Sequence, residues 1–297
     1  MARALLVINS SAGRVSGLKN PIDDLYTCLS PVGELDAAIS ESIEELGSVA
    51  REAVRAEFDI VIAAGGDGTI NEIVNAAACS SVTIGIIPLG TANVIARELN
   101  IPIDDIPAAC SVVVSGASRR IDLGCASGRW FAAMAGFGFD AAVVHSVDQR
   151  AKKVIGVGAY AIAVTKELAK LRPVRYSLYL DDSLIETEAS VILVSNSACY
   201  AYGIKVAADA KIDDGLLDVV IFEKSKLNRI GFLWQSALVL MGARAADFGV
   251  KTFRAKKVVV RSVPNVLMHL DGDEWGSTPA DVEIVPCALT VKVPASR

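Results

Sequence analysis

Residues 63–72 read AAGGDGTINE and follow directly on the apolar run Asp59-Ile-Val-Ile-Ala. Glycine fills Gly65, Gly66 and Gly68, with Asp67 between them. A glycine-rich turn from a strand into a helix lets successive backbone N–H groups face one anion, with the helix dipole behind them. Side chains would block that approach, which gives bare backbone a chemical use here. The Asp67 carboxylate repels phosphate, so its use would be to hold Mg2+, directly or through water, or to position a sugar hydroxyl or an amide. Thr69 can donate a hydroxyl bond and start the following helix. A plain strand-to-helix connection would need much the same residues, and one glycine loop is a weak signal. Further loops of the same style shift the balance. Ile87-Pro-Leu-Gly-Thr-Ala-Asn leaves a strand, turns at Gly90 and opens a helix with Thr91 and Asn93, and Asn9-Ser-Ser-Ala-Gly13 follows the first strand. Such loops at neighbouring strand ends would make one phosphate-facing crevice.

The elements that must hold these loops alternate. Ala4-Leu-Leu-Val-Ile, Ile60-Val-Ile-Ala and Val82-Thr-Ile-Gly-Ile-Ile are short continuous apolar runs, as parallel strands covered on both faces require. Helices are expected between them at 43–56, 71–79 and 91–99. This is an open α/β sheet, which binds ligands at the carboxyl ends of its strands. From about Trp130 the pattern changes. Arg175-Tyr-Ser-Leu-Tyr-Leu puts Tyr176, Leu178 and Leu180 on one face, and strand-like pieces follow at 189–195, 217–222, 257–261, 266–270, 282–285 and 289–293. Short strands with Asp-Gly turns between them indicate an antiparallel sandwich or barrel. Helices at 151–171 and 227–243 interrupt it.

A chain of 297 residues that is 52% hydrophobic can bury substantial cores, and two domains are expected. The net charge of −5 argues against nucleic acid as a partner. Residues 222–261 nevertheless carry nine Lys or Arg against Glu223 and Asp247, a sector that is either a solvated face or a contact for an anionic surface. The six cysteines have no paired spacing, so free thiols in a reducing cytosol are the simplest reading. MARALLVINS reads as a first strand rather than a signal peptide, and no apolar stretch reaches the roughly 18 residues of a spanning helix.

Asp271-Gly272 and Asp214-Gly215 carry the commonest hairpin signal. The two histidines, His145 and His269, form no constellation with a nucleophile and are expected to be structural.

The set GGDGT-x-NE (65–72), PLGTAN-x-x-A-R-x-L (88–99), RRIDLG (119–124), DDGLLDV (213–219) and LDGD…P-x-AL-x-V-x-VP (270–294) resembles the diacylglycerol kinase catalytic family, essentially end to end. The resemblance implies an α/β nucleotide-binding domain, similar to NAD kinase and phosphofructokinase, over 1–125. A mainly antiparallel β-sandwich lipid-substrate domain follows over 126–286, with the tail 287–297 packing back on the first. It implies ATP between the domains and transfer of its γ-phosphate to a lipid hydroxyl. Carried over, Asn9, Ser10, Gly13, Ser40, Gly65, Gly66, Asp67, Gly68, Thr69, Glu72, Gly90, Thr91 and Asn93 bind the nucleotide, with Arg97 and Asp122 as polar positions near the site. The family's late Asp-Gly-Glu supplies the general base. Here it reads Asp271-Gly272-Asp273, so Asp273 takes that place, one methylene shorter, with Asp271 next in line and Glu274 as a neighbour able to compensate. Bacterial members hold a structural Mg2+ at positions matching Asp214 and the carbonyls of Lys211 and Leu216, an oxygen set that suits a hard cation.

Two departures stand out. Asn9-Ser10 replaces the common Asn-Pro, and Val94 follows Asn93 where an aspartate is usual. The unpaired cysteines point to the cytoplasm, the basic 222–261 sector would give peripheral contact to an anionic membrane, and a homodimer stays open. The segment 230–241, bracketed by Lys224, Lys226, Arg229 and Arg244, is either a membrane-interface helix or a core-packing one. Two rival functions stand beside the lipid kinase. One is a kinase for a soluble hydroxyl, against which the Gly-Ser-Thr-Ala-Tyr stretch of NAD kinases is absent. The other is a nucleotide- or lipid-binding regulator with little catalysis.

Overall fold

Leu6, Val7 and Ile8 have no exposed surface, and neither do Val61 and Ile62. Strands that apolar must be covered on both faces, and in the computed structural model they lie at the centre of a parallel sheet. The structure describes residues 2–13, 21–147, 157–224, 231–232 and 250–295. The chain divides into two compact units, Met1–Leu123 with Ala201–Gly203 and Val285–Arg297, and Gly124–Tyr200 with Ile204–Ile284.

In the first unit, β1 (Ala2–Asn9), β2 (Gly33–Ser40), β3 (Ile60–Gly65), β4 (Thr83–Pro88) and the last strand, β17 (Ala280–Val293), run parallel in the order β2-β1-β3-β4-β17. β5 (Ala117–Ala126) pairs with β17. The register sets Asn9 beside Ser40, Ile8 beside Ala64, and Gly65 beside Pro88. All four carboxyl ends therefore fall along one edge.

The helices are α1 (Pro21–Leu29), α2 (Ile43–Arg55), α3 (Asp67–Ala77), α4 (Val94–Glu98) and α5 (Ile106–Ser115). Local chemistry starts two of them. Ser42 Oγ accepts the Glu45 N–H at 3.2 Å to cap α2, and Asp105 Oδ1 accepts the Ala108 N–H at 2.9 Å to cap α5. A side-chain acceptor at that position contributes about 1 kcal/mol.

α1 and α5 were not expected, and two of the expected helices start elsewhere. α3 begins at Asp67 rather than 71, because Gly66 caps it and an acid in the first turn suits the helix dipole. α4 begins only at Val94, because Asn93 is left-handed (φ 48°) and closes a loop with Gly90. β2 was not foreseen. As an edge strand it buries no continuous run, and Ile39 is 46% exposed.

The second unit is mainly antiparallel. Its elements are β6 (Arg129–Phe131), β7 (Met134–Gly138), α6 (Phe139–Ser146), α7 (Val157–Leu168), β8 (Val174–Leu180), β9 (Ser183–Ser195), β10 (Cys199–Ala201), β11 (Ile204–Lys205), β12 (Leu217–Glu223), β13 (Lys251–Ala255), β14 (Lys257–Val263), β15 (Leu267–Leu270) and β16 (Asp273–Ser277). The path runs β16-β15-β7-β9-β8-β14-β17, with β12 also on β9 and β13 on β12. Tyr176, Leu178 and Leu180 do share the buried face of β8, in a core with Phe131, Phe137, Ile192 and Val260. The expected strands at 282–285 and 289–293 are one strand, turned at Cys287 (φ 53°).

Of the apolar segment 230–241 only Gly231 and Phe232 are described. Phe232 is buried edge-on to Phe139 and Phe222, with ring centroids 5.2 and 6.2 Å away. The rest of that segment, with Lys226, Arg229 and Arg244, lies outside the described residues. In the basic sector, Lys224 pairs with Glu188, Lys251 with Glu223 and Arg254 with Asp214. Among the described residues, these three of its basic side chains are matched within the unit.

Candidate active site

Two glycine loops meet backbone to backbone at the carboxyl edge of the first unit. A Cβ built on Gly90 would lie 2.6 Å from the Gly66 Cα, and one on Gly66 would lie 3.2 Å from the Gly90 Cα. Only glycine fits at the first of these positions without moving main chain.

Asp67 locks the contact. Its Oδ2 accepts the Asn93 N–H at 2.9 Å and its Oδ1 the Val94 N–H at 2.6 Å. Asn93 closes the second loop on itself, donating Nδ2–H to the Gly90 carbonyl and accepting the Gly90 N–H. The position left of its usual aspartate, Val94, thus contributes its backbone N–H. Of the three uses open to Asp67, a metal, a sugar hydroxyl or an amide, these contacts are the third: it receives two backbone amides and so holds two loops together.

The first loop joins the same edge. Asn9 Nδ2–H donates to Thr69 Oγ1 at 2.9 Å, while its Oδ1 accepts both the N–H and the hydroxyl of Ser11. The Ser10 N–H donates to the Ser40 carbonyl at 3.1 Å. Gly65 leaves room for Thr69, whose side-chain atoms a Cβ there would meet at 2.6–2.8 Å. The Gly68 and Thr69 N–H groups sit in the first turn of α3, where no intrahelical acceptor exists. Donors, helix dipole and the clear space where a Gly13 side chain would be suit a polyphosphate.

Other expected positions have contacts of their own. Glu72 faces α2, where a Cβ on Gly47 would come within 2.9 Å of its Oε2. Arg97 Nε–H donates to the Ala92 carbonyl at 2.8 Å, bracing the second loop. Asp122 is buried and accepts the Cys287 N–H at 2.7 Å, which holds the turn in β17.

In the second unit, β15 and β16 form a hairpin with Leu270 opposite Asp273. The two turn residues between them, Asp271 (φ 49°) and Gly272 (φ 86°), are both left-handed, as a two-residue hairpin of this twist demands. The Asp271 carboxylate accepts three backbone N–H groups: Ala132 at 2.7 Å, Ala133 at 2.9 Å and Met134 at 2.8 Å. Burial raises this carboxyl to about 6, against the pull of those three donors and with the neighbouring Asp273 charge adding to the rise. Asp271 is thus turned inward as an anchor, and Asp273 stands first on the outgoing strand.

Behind this turn lies a contact that the spacing of these residues along the chain does not show. His269 Nε2 lies 2.7 Å from Asp140 Oδ2, and the Tyr200 hydroxyl donates to Asp140 Oδ1. The one local sign is glycine inside β7, at Gly136 and Gly138, just before Asp140.

Among the described residues no group of three His, Cys, Asp or Glu side chains could hold a metal. Asp214 accepts the Leu216 N–H at 3.2 Å with Oδ1 and pairs with Arg254 through Oδ2. The carboxylate that the resemblance gives to a structural Mg2+, together with the Lys211 and Leu216 carbonyls, already carries a guanidinium. As it stands this donor set fits Arg254, and an ion there would have to displace it.

Comparison with known proteins follows this division. The family profile for the diacylglycerol kinase catalytic domain matches residues 3–126, and that for the YegS C-terminal NAD kinase beta sandwich-like domain matches residues 133–293. A diacylglycerol kinase of Bacillus subtilis (strain 168) is 32% identical over 283 residues, covering 95% of this chain and 93% of the relative. One from Staphylococcus epidermidis is 30% identical over 282 residues, covering 94% and 88%. In fold, the chain is similar to a crystal structure of a diacylglycerol kinase from Bacillus anthracis str. Sterne. The TM-score is 0.75 at 20% identity, covering 98% of this chain and 96% of that one.

Three outcomes test this geometry. Gly90→Ala, which forces the two loops apart, is expected to weaken ATP binding about tenfold or more in calorimetric titration, as a misplaced binding loop does. Asp271→Ala leaves three inward N–H groups without an acceptor and should cost on the order of 3 kcal/mol of stability in urea unfolding. Without nucleotide, exchanging Mg2+ for a chelator should leave the melting temperature unchanged, because Arg254 already neutralises Asp214.

Proposed function

The chain belongs to the diacylglycerol kinase family, and on that premise we propose that it transfers the γ-phosphoryl group of ATP to the hydroxyl of a diacylglycerol-type lipid. The observation that carries this reading is the glycine pair Gly66–Gly90, clamped by Asp67 at the carboxyl ends of β3 and β4. A bare-backbone cradle with helix-start donors suits a triphosphate, and the family supplies the acceptor class.

When bound with Mg2+, ATP would supply the electrophilic γ-phosphorus, with ADP as the leaving group. The chain does the rest. The Gly68 and Thr69 N–H groups and the α3 dipole hold negative charge on the phosphates, and Thr91 adds a hydroxyl. Asp273 accepts the proton of the lipid hydroxyl as the new O–P bond forms and the bond to the diphosphate oxygen breaks. Such transfer depends mainly on positioning and charge neutralisation, with one carboxylate as base. We assign the base to Asp273 rather than Asp271, because the Asp271 oxygens are committed to three N–H donors. No step is routed through Asp214 and a structural Mg2+. A lipid acceptor also requires contact with a bilayer, which the protein would make peripherally. Among the described residues no helix is long and apolar enough to cross one.

The test is transfer of labelled γ-phosphate to a panel of lipids in mixed micelles. Label is expected in diacylglycerol, and Asp273→Asn should lower turnover about a hundredfold or more while ATP still binds, the usual scale for losing a general base. Label found only in a soluble hydroxyl compound would overturn the lipid reading. Full turnover by Asp273→Asn would move the base elsewhere.

A further inference from the structure

Both histidines of the chain are fastened to the β15–β16 hairpin, and both fastenings run through α6. His269 is 3% exposed and Asp140, in the first turn of α6, is 8% exposed. Their contact is built in. A Cβ on Gly136 would come within 2.5 Å of Asp140 Oδ2 and closer still to His269 Nε2, so glycine makes the space the pair occupies. The other ring nitrogen, Nδ1, accepts the Gly272 N–H at 3.2 Å. That bond fixes the tautomer: Nδ1 is the bare nitrogen, and Nε2 carries the hydrogen and donates it to Asp140. Burial works to raise the Asp140 carboxyl, but the His269 ring and the Tyr200 hydroxyl outweigh it and hold it below its ordinary value. Near the far end of α6, His145 sits 3.3 Å from the Met268 carbonyl through Nε2 and 3.2 Å from Glu274 Oε2 through Nδ1.

We propose that His269 is a positioning residue for Asp273. Asp140, itself held by the Tyr200 hydroxyl, fixes its ring at one nitrogen, and the other nitrogen receives the Gly272 N–H and so sets the turn from which Asp273 projects. The consequence for catalysis rests on the reading of Asp273 as base. His269 touches no reacting atom. Its effect is transmitted through one backbone N–H, in a turn with only Asp271 and Gly272 between Leu270 and Asp273.

The two ring nitrogens can be replaced separately. In His269→Asn the amide oxygen lies where Nδ1 was and can accept the Gly272 N–H, but nothing donates to Asp140. In His269→Gln the amide nitrogen lies where Nε2 was and can donate to Asp140, but the turn loses its acceptor. His269→Ala loses both. The expected pattern is crossed. Turnover falls about a hundredfold in the Gln and Ala variants, the scale of a misplaced catalytic group. It stays close to wild type in the Asn variant, with the KM for ATP unchanged throughout. The melting temperature instead stays high in Gln and falls in Asn and Ala. A merely structural histidine would make turnover and melting temperature fall together across the three, and that result would overturn the proposal.

Amide exchange at Gly272, followed by NMR, gives a readout without turnover. Protection should survive in Asn and vanish in Gln and Ala, and protection that ignores the substitution would equally overturn the proposal. A wild type that phosphorylates no lipid would contradict the reaction assigned above, and the exchange pattern would then decide alone whether His269 sets this turn.

Discussion

The Asp67 carboxylate holds together what the rest of the first unit positions. Gly66 and Gly90 lie in main-chain contact, and two N–H groups from the second loop end on the one side chain between them. Hydrogen bonds to an ionised acceptor are roughly twice as strong as neutral ones, so one residue can fix two loops. The parallel register sets the stage, because Gly65 beside Pro88 brings both loops to the same level of the edge. The apolar strands are rigid, the loops are bare, and the carboxylate joins them.

The same device recurs at three other turns among the described residues. Asp271 takes the N–H groups of Ala132, Ala133 and Met134, Asp122 takes that of Cys287, and Asp181 takes those of Lys256 and Lys257. In each case a short acid supplies the acceptor that a neighbouring loop lacks. This matters for assigning chemistry. A carboxylate whose lone pairs face backbone donors is poorly placed to take a proton from a substrate, whereas Asp273, one residue past such an anchored turn, begins an edge strand. On the proposed reading the anchored acids hold loops in place and Asp273 is left for the chemistry.

How much of this was legible depends on what each residue's type implies locally. Continuous apolar runs marked β1, β3 and β4, and alternation marked the buried face of β8, because burial writes itself into composition. The glycines were legible as loops, since no other residue explains them. β2 was not, because an edge strand exposes one side and carries no run of its own. The start of α3 was misplaced because the residues that look like loop are its capped first turn. Asp67, Asp122 and Asp271 read as chemistry from sequence, and their structural work appears only when distant N–H groups are brought to them. His269 was invisible for the same reason, since Asp140 and Tyr200 lie 129 and 69 positions away along the chain (269 − 140 and 269 − 200).

The most direct measurement is an NMR titration of the chain with Mg-ATP, following backbone amides. The account predicts that the amides of Gly66, Gly68, Thr69 and Gly90 shift together and saturate at one concentration, because the triphosphate lies against the clamped glycine loops. If those amides stay in place while ATP binds and perturbs residues away from the carboxyl edge of the parallel sheet, the central claim is wrong.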